Sequence, residues 1–480
     1  HYRVAVCYPN SYHIGMSNLG FLSVFHRLSS TNGIKVVRFF LERDGKLFSP
    51  ELNTAKIYTK SESSGNLSGF DVLLFSVSFE MDYLNIVRML KLSGIEPASH
   101  RRNNQDPLII TGGIAVTANP VPMSIISDIV YRGDMEISLF PLIELLFEKK
   151  FRKSEELLSD VSKLQGMYLK GTSLGIPGRS VKKKEISPAH SVIITNNTVF
   201  ANRFLVEIAR GCKNSCRFCM TRTSNFPPRS ISKDEILEVS YRALKFTKMV
   251  GLIAPVVNDN PELSNIVTDL NKNSMKVSFS SLRADSFTEE LAMLIKINGQ
   301  KSITFAPETG SDNLRKKIGK MLKNNQILKS VELSIRYGIR NIRFYFMYGL
   351  PFEEWEDIEA INYLVNNAMK IAGKGINFHL SINPFIPKLN TPFGKEKIKN
   401  LEYYRNVKKY LLRKFTHNAD EKGLTLRFES LKSIYTHYYL STGGEKTGYY
   451  LAEGSFEKSL RMIERDFLKL YNSGISPDEY

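Results

Sequence analysis

Three of the four cysteines in this 480-residue chain fall within eight positions, as Gly211-Cys212-Lys213-Asn214-Ser215-Cys216-Arg217-Phe218-Cys219. Thiolates are soft ligands, and the spacing Cys-x3-Cys-x2-Cys lets three of them reach three corners of one Fe–S cube. The fourth iron is then left without a protein ligand. A structural zinc site calls for four ligands and usually for paired Cys-x2-Cys spacings. The nearest preceding histidine, His190, lies beyond an intervening strand-like run. A disulfide framework fails on number, because four cysteines cannot staple a chain this long. Cys7 stands alone on an apolar run and reads as a small buried hydrophobe.

Elements of two kinds must position that loop. Over the first 150 residues, buried-strand runs at 3–8, 35–40, 71–77, 107–111 and 128–131 alternate with helical patterns, the signature of a parallel α/β domain. Ligands of such open sheets lie outside the carboxyl ends of the strands, which selects the loops 8–18, 76–83, 112–119 and 132–136. A basic connector follows at 151–200, with Lys182-Lys183-Lys184 and Pro188. From about 201 to 400 a second βα series runs through strands at 204–208, 250–253, 276–280, 302–305, 341–347 and 377–382. That order suits a partial (β/α) barrel, whose chemistry lies at the strand C-termini. The cysteine loop follows the first of these strands. Residues 401–480 turn helical and Tyr-rich, and their tyrosines read as helix-packing residues.

In this setting Cys212, Cys216 and Cys219, with aromatic Phe218 before the last, resemble the cluster loop of the radical S-adenosylmethionine (SAM) superfamily. The resemblance implies a [4Fe-4S] cluster whose open iron chelates SAM. One electron then cleaves the sulfonium and releases a 5′-deoxyadenosyl radical that takes hydrogen from substrate. Further segments agree. Ser281-Leu282-Arg283-Ala284-Asp285 and Ala306-Pro307-Glu308-Thr309-Gly310-Ser311 resemble strand-end segments whose polar groups face SAM. The run 345–354, with Tyr345, Met347, Gly349 and Pro351, resembles the adenine-contacting strand end. Glu353 and Glu354 suit a helix N-terminus. One departure stands out: Gly251-Leu252-Ile253-Ala254 occupies the place of the usual Gly-Gly-Glu-type segment.

The N-terminal loops resemble those of cobalamin-binding-like Rossmann domains fused to radical SAM barrels. The segments are 8–20, 78–83, 112–120 and the Arg132-Gly133-Asp134-Met135-Glu136 turn; with 383–388 near the barrel's end, the resemblance spans about residues 1–400. It implies a corrin between these loops and the barrel. Its contacts would come from Asn10, His13, Gly15, Ser17, Asn18, Ser76, Ser78, Glu80, Tyr83, Gly112, Gly113, Thr117, Asn119 and Gly133. The Asp-x-His-x-x-Gly signature that supplies an axial imidazole is absent, so cobalt would be held without a protein histidine. Glu80 and Tyr83 are then the nearest oxygen donors. The alternative is a domain that keeps the fold, packs on the barrel and binds no corrin.

Composition sets the outer limits. At 42% hydrophobic and 24% charged, the chain is globular, with material for two to four domains. No apolar run reaches the roughly 18–20 residues of a membrane-spanning helix, and the expectation is a cytoplasmic protein or one peripheral to a membrane surface. The formal charge of +18 favours an acidic macromolecular partner or phospholipid substrate without choosing between them. With no cysteine after Cys219 and only Cys7 before Cys212, a second cluster of the methylthiotransferase kind is excluded. The expected activity is radical SAM chemistry on an unactivated carbon, with cobalamin-dependent C-methylation leading. The alternative is radical carbon–carbon bond formation, such as ring formation in archaeal tetraether lipids. A non-catalytic binding protein would have no use for the cysteine triplet. A reduced donor such as ferredoxin or flavodoxin would supply the electron, and oligomeric state is left open.

Overall fold

The computed structural model describes residues 1–53, 66–151, 153–175, 177–178, 187–454 and 456–473; the Lys182–184 run lies outside them. The first sheet contains β1 (Tyr2–Tyr8), β2 (Ile34–Leu41), β3 (Leu47–Phe48), β4 (Val72–Ser76), β5 (Leu108–Gly112), β6 (Ile129–Tyr131) and β7 (Met167–Tyr168), in the order β3-β2-β1-β4-β5-β6-β7. Its five inner strands are parallel and the two short edge strands antiparallel.

The inner strands read as near-continuous apolar runs because both faces are covered. On β1, Val4 and Val6 join one core with Phe21 and Leu142, whereas Ala5 and Cys7 join another with Tyr83 and Ile86. That second core continues without a break into the barrel core. Cys7 is fully buried, and burial raises its thiol pKa well above the usual value. The strand order reverses between β1 and β4, placing a topological switch point at their carboxyl ends.

The second region begins with residues 189–191 running antiparallel along β8 (Phe204–Glu207), where Ser191 N donates to Leu205 O at 2.9 Å. A two-strand ribbon of β9 (Ala209–Arg210) and β10 (Arg229–Ser230) brackets the cysteine loop. β8 then pairs in parallel with β11 (Met249–Ile253), and β11 with β12 (Lys276–Phe279). A second parallel arc runs β13 (Ser302–Glu308), β14 (Asn341–Tyr348), β15 (Asn377–Pro384) and β16 (Leu424–Phe428). Among the described residues no ladder joins β12 to β13, so the partial barrel consists of two arcs.

Two differences from the sequence reading have local causes. β7 lies in the stretch read as connector and completes the first sheet. β16 lies within the region read as helical; Gly423 takes a left-handed conformation (φ 64°) and ends the helix Leu401–Lys422, and the chain then extends along β15. Among the described residues no helix is long and apolar enough to cross a membrane.

Candidate active site

The cysteine loop leaves the end of β8 through Gly211, whose φ of +82° and tight packing on the Asn225 backbone leave no room for a side chain. Asn214 Nδ2 donates to Cys212 Sγ at 3.2 Å and approaches Asp259 at 3.4 Å; Lys213 pairs with the same carboxylate at 3.2 Å. On the other side Arg217 N donates to Ile318 O (2.9 Å), Phe393 N donates to Arg217 O (3.2 Å), and the Arg217 guanidinium lies over the Phe393 ring. Cys219 caps the short helix Met220–Ser224. The loop is thus pinned at both flanks with three free, partly exposed thiols between them.

Burial pushes the Cys216 thiol up to about 11; Lys320 and Arg283 act against that, Cys219 and Glu308 with it. The ends of β12 and β13 therefore face the same thiol. Among the described residues no three His, Cys, Asp or Glu groups converge tightly enough for a single metal ion. The donor set fits a cube instead, because a cube offers its irons at separate corners to soft ligands and leaves one corner open. Cys212, Cys216 and Cys219 are the residues that would hold it.

Glu308 closes β13 with φ +67°, a left-handed conformation rare for a side chain of its kind, and its carboxylate pairs with buried Lys320 at 2.7 Å. Such a conformation persists only where its surroundings over-determine it, and it clusters at ligand sites. Arg283 is held by Asp285 at 2.9 Å, while its backbone N donates to Asn258 Oδ1 at 3.0 Å. Ser281 O accepts from Val257 N (2.9 Å). Tyr345 and Met347 alternate with buried Phe344, Phe346 and Tyr348, so they share the face turned away from the outer helices.

Several residues expected to touch SAM also have close protein partners of their own. Gly310 packs against the backbone at Ala360 and Ile361, and Phe218 joins an apolar cluster with Leu314, Ile318, Leu350, Phe385 and Phe393. Gly349 turns with φ +76° ahead of Pro351, and its N donates to Glu353 Oε1 at 2.5 Å. Glu353 does not serve the helix N-terminus; Glu354 does that, in a capping box with Asp357. Instead Glu353 is buried, also accepts from Tyr403 Oη (2.6 Å), and is raised by desolvation to about 7. Arg315, not singled out in the sequence, is fully buried and donates to Thr309 O (3.2 Å) and Leu322 O (2.9 Å), locking the turn after β13.

The N-terminal candidates divide into two groups. Asn18, Ser76, Ser78, Gly113 and Gly133 line a cleft of ≈ 360 Å³ opposite Glu207, Arg210 and Thr221. Asn18 ties two of its loops together: its Oδ1 accepts from Phe21 N and its Nδ2 donates to Ser78 Oγ, both at 2.9 Å. Thr117 borders a neighbouring cleft of ≈ 480 Å³ with Arg132, Arg222 and Asn390. At the cleft wall Arg210 bridges the domains through Asp134 (3.1 Å), Glu136 (3.0 Å) and Glu207 (2.9 Å).

The remaining candidates engage other partners. Asn10 donates to Asp82 (3.0 Å); His13 meets Asn197 (3.3 Å), and Ser17 meets Thr198 (2.6 Å). Gly15 abuts the Phe40 ring and Gly112 the Tyr131 ring. Tyr83 is fully buried, with its hydroxyl 3.5 Å from Asn119 O; Asn119 itself donates to Gly443 O at 2.9 Å. Glu80 pairs with Lys388 (2.7 Å) and His437 (3.2 Å). Sequence reasoning missed this last cluster, since its members come from three distant segments.

Residues 20–169 match the family model for the N-terminal region of radical SAM proteins, and residues 206–365 match that of the radical SAM superfamily. An uncharacterized protein of Methanocaldococcus jannaschii, MJ0966, is 28% identical over 454 residues, covering 94% of this chain and 90% of its own length. Among solved structures, the radical SAM methyltransferase TsrM from Kitasatospora setae, with tryptophan and a SAM analog bound, superposes with TM-score 0.61. Its identity is 11%, and the match covers 98% of this chain and all of that one. The cobalamin-dependent SAM radical enzyme OxsB, with aqua-cobalamin bound, gives TM-score 0.54 at 16% identity over 99% of this chain and 62% of its own. The chain belongs to the radical SAM superfamily, whose N-terminal and radical SAM models it matches in turn, and its fold is similar to that of TsrM and OxsB.

Proposed function

We propose that this chain is a cobalamin-dependent radical SAM enzyme that methylates an unactivated carbon. The observation that carries the reading is the cleft between the two domains. Asn18 at a helix N-terminus, with Ser76, Ser78 and Gly113 at strand ends, forms one wall, and Arg210 and Thr221, flanking the cysteine loop, form the other. A switch-point ligand and barrel chemistry thereby share one space, as methyl transfer to a substrate carbon requires. The full-length likeness of fold to TsrM supports it.

When bound, the cluster and SAM supply hydrogen abstraction and the corrin carries a methyl group. The chain's own residues orient these groups. Cys212, Cys216 and Cys219 hold the cluster; Glu308, kept in place by Lys320, and the Gly349 turn, kept in place by Glu353, shape the SAM pocket. Ser76 and Ser78 offer hydroxyls to corrin amides, and Gly113 borders the same wall. His13 and Glu80 are engaged elsewhere and Tyr83 is fully buried, so the corrin would be held by shape and amide hydrogen bonds rather than by one of these side chains.

The test is anaerobic titration of the cluster-reconstituted chain with hydroxocobalamin, followed by absorption. Saturation at one corrin per chain is expected, with 5′-deoxyadenosine formed from SAM on reduction. Absence of saturable corrin binding overturns the methylation reading and advances radical carbon–carbon bond formation.

A further inference from the structure

The lumen face of the second arc is polar where a filled barrel would be apolar. Closed (β/α)8 barrels pack their interior with layers of Val, Ile and Leu. Here the register sets Thr304, Arg343, His379 and Thr425 in one layer, and Tyr345, Ser381 and Arg427 in the next. Alternate residues on the same strands, such as Ile342, Phe344, Phe378 and Leu380, are buried in the core beneath the outer helices. The polar set therefore faces the lumen. Arg343 and Arg427 are exposed, and Tyr345 is 39% exposed.

Neither Arg343 nor Arg427 has a hydrogen-bond or ion-pair partner among the described residues. The one carboxylate on these four strands, Glu308, is already held by Lys320. Two guanidinium groups thus line one concave face with no ion-pair partner among the described residues. Standard sheet spacings put their Cα atoms roughly 12 Å apart, two strands and one layer, within reach of two extended arginine side chains turned to one ligand.

We propose that this lumen binds the anionic end of the substrate, a phosphate ester or a carboxylate. Arg343 and Arg427 serve as charge-assisted donors, and Tyr345, Ser381 and His379 stand beside them. Arginine suits this task because its planar fork matches both oxyanions. The proposal rests on the radical SAM reading above and names a substrate class for that site. It also sets a length: the strand ends near Cys216 lie one to two layers above the arginines, roughly 7–13 Å along the strands. The reacting carbon is therefore several bonds from the charged group.

The test titrates the cluster-reconstituted full chain with inorganic pyrophosphate and, separately, with citrate at fixed ionic strength. Saturable binding is expected, weakened about tenfold or more in Arg343→Gln and in Arg427→Gln and weakened less in Arg343→Lys, which keeps the charge without the planar fork. Lys329→Gln, which removes an equal charge from the outer helix Asn324–Arg336, should leave it unchanged. Preference for pyrophosphate identifies a phosphate-bearing substrate; preference for citrate identifies a carboxylate. Thermal melts confirm that the variants fold. No saturable binding, or equal weakening in Lys329→Gln, overturns the proposal. Reductive SAM cleavage by the unaltered enzyme is read in parallel: its absence defeats the radical reading without touching the anion result.

Discussion

Lys388 Nζ stands 2.7 Å from Glu80 Oε2 and 2.8 Å from His437 Nε2, joining the segment after β15 to the loop after β4 and to the helix Leu431–Thr442. Three parts of the chain meet at one buried charge cluster. Burial opposes ionisation of Glu80, but Lys388 and His437 hold its carboxyl down at about 2, against 4.5 when free. Its contribution to stability is therefore present above pH 4.5 and lost as pH falls toward 2. Glu80→Gln should flatten that part of the acid-unfolding curve. Lys388→Met leaves the buried carboxylate with His437 as its remaining partner and should cost up to roughly 3–5 kcal/mol. Urea unfolding at pH 7 and at about pH 2.5 measures both.

Glu353 has the opposite sign. Desolvation raises its carboxyl from 4.5 to about 7, despite hydrogen bonds from Tyr403 and the Gly349 and Leu350 backbone. The folded state then holds a proton that the unfolded chain has lost, so stability falls as pH rises from 4.5 through 7. Glu353→Gln keeps an acceptor for Gly349 N and should remove this decline, making the variant the more stable one at pH 8. Glu353→Leu strands that N–H and should cost about 1–3 kcal/mol, with weaker SAM binding. Equal pH slopes in the Gln variant and the parent would contradict the assignment.

Iron analysis checks the cysteine loop. We expect about four irons and four sulfides per chain, lost when Cys212, Cys216 and Cys219 are changed together to Ala. Cys7→Ala, inside the first sheet, should keep the full complement. Stoichiometric zinc in anaerobically purified protein would sink the cluster assignment.

Glu308 and Lys320 must be read as a pair. Glu308→Ala alone also strands a buried ammonium, so a loss of SAM affinity would mix two causes. The double variant with Lys320→Ala separates them. SAM binding should stay weakened, by roughly 1–3 kcal/mol, while stability partly recovers. Recovery of SAM affinity in the double variant would assign Glu308 a structural role only.

What the sequence shows, and what it hides, follows from distance along the chain. The β1 strand is legible because Val4–Cys7 lies between two covered faces, and the cysteine triplet because its chemistry is complete within eight residues. The short β16 is hidden because its period-two pattern spans only Leu424–Phe428 beside a long helix. The Glu80–Lys388–His437 cluster is hidden because its members lie 308 and 49 residues apart. Glycine proves ambiguous: Gly112 and Gly113 read as room for a ligand, yet Gly112 is filled by the Tyr131 ring and Gly113 lies against the Val77 backbone. Only Gly113 also borders the cleft.

That ambiguity decides how the corrin reading must be probed. A bulky residue at Gly112 would displace the buried Tyr131 ring, and one at Gly113 would press on backbone at φ +116°. Both should lower the melting temperature of the first domain whether or not cobalamin binds. Ser78 is different: it lines the cleft, and its hydroxyl accepts from Asn18 at 2.9 Å. Ser78→Trp should narrow the cleft and abolish hydroxocobalamin binding by absorption titration. Iron content and reductive SAM cleavage should persist, because the cysteine loop is pinned from the barrel side by Ile318 and Phe393. If Ser78→Trp retains corrin affinity while Gly112→Val alone loses it, the loss reports unfolding of the domain, and the corrin does not occupy this cleft.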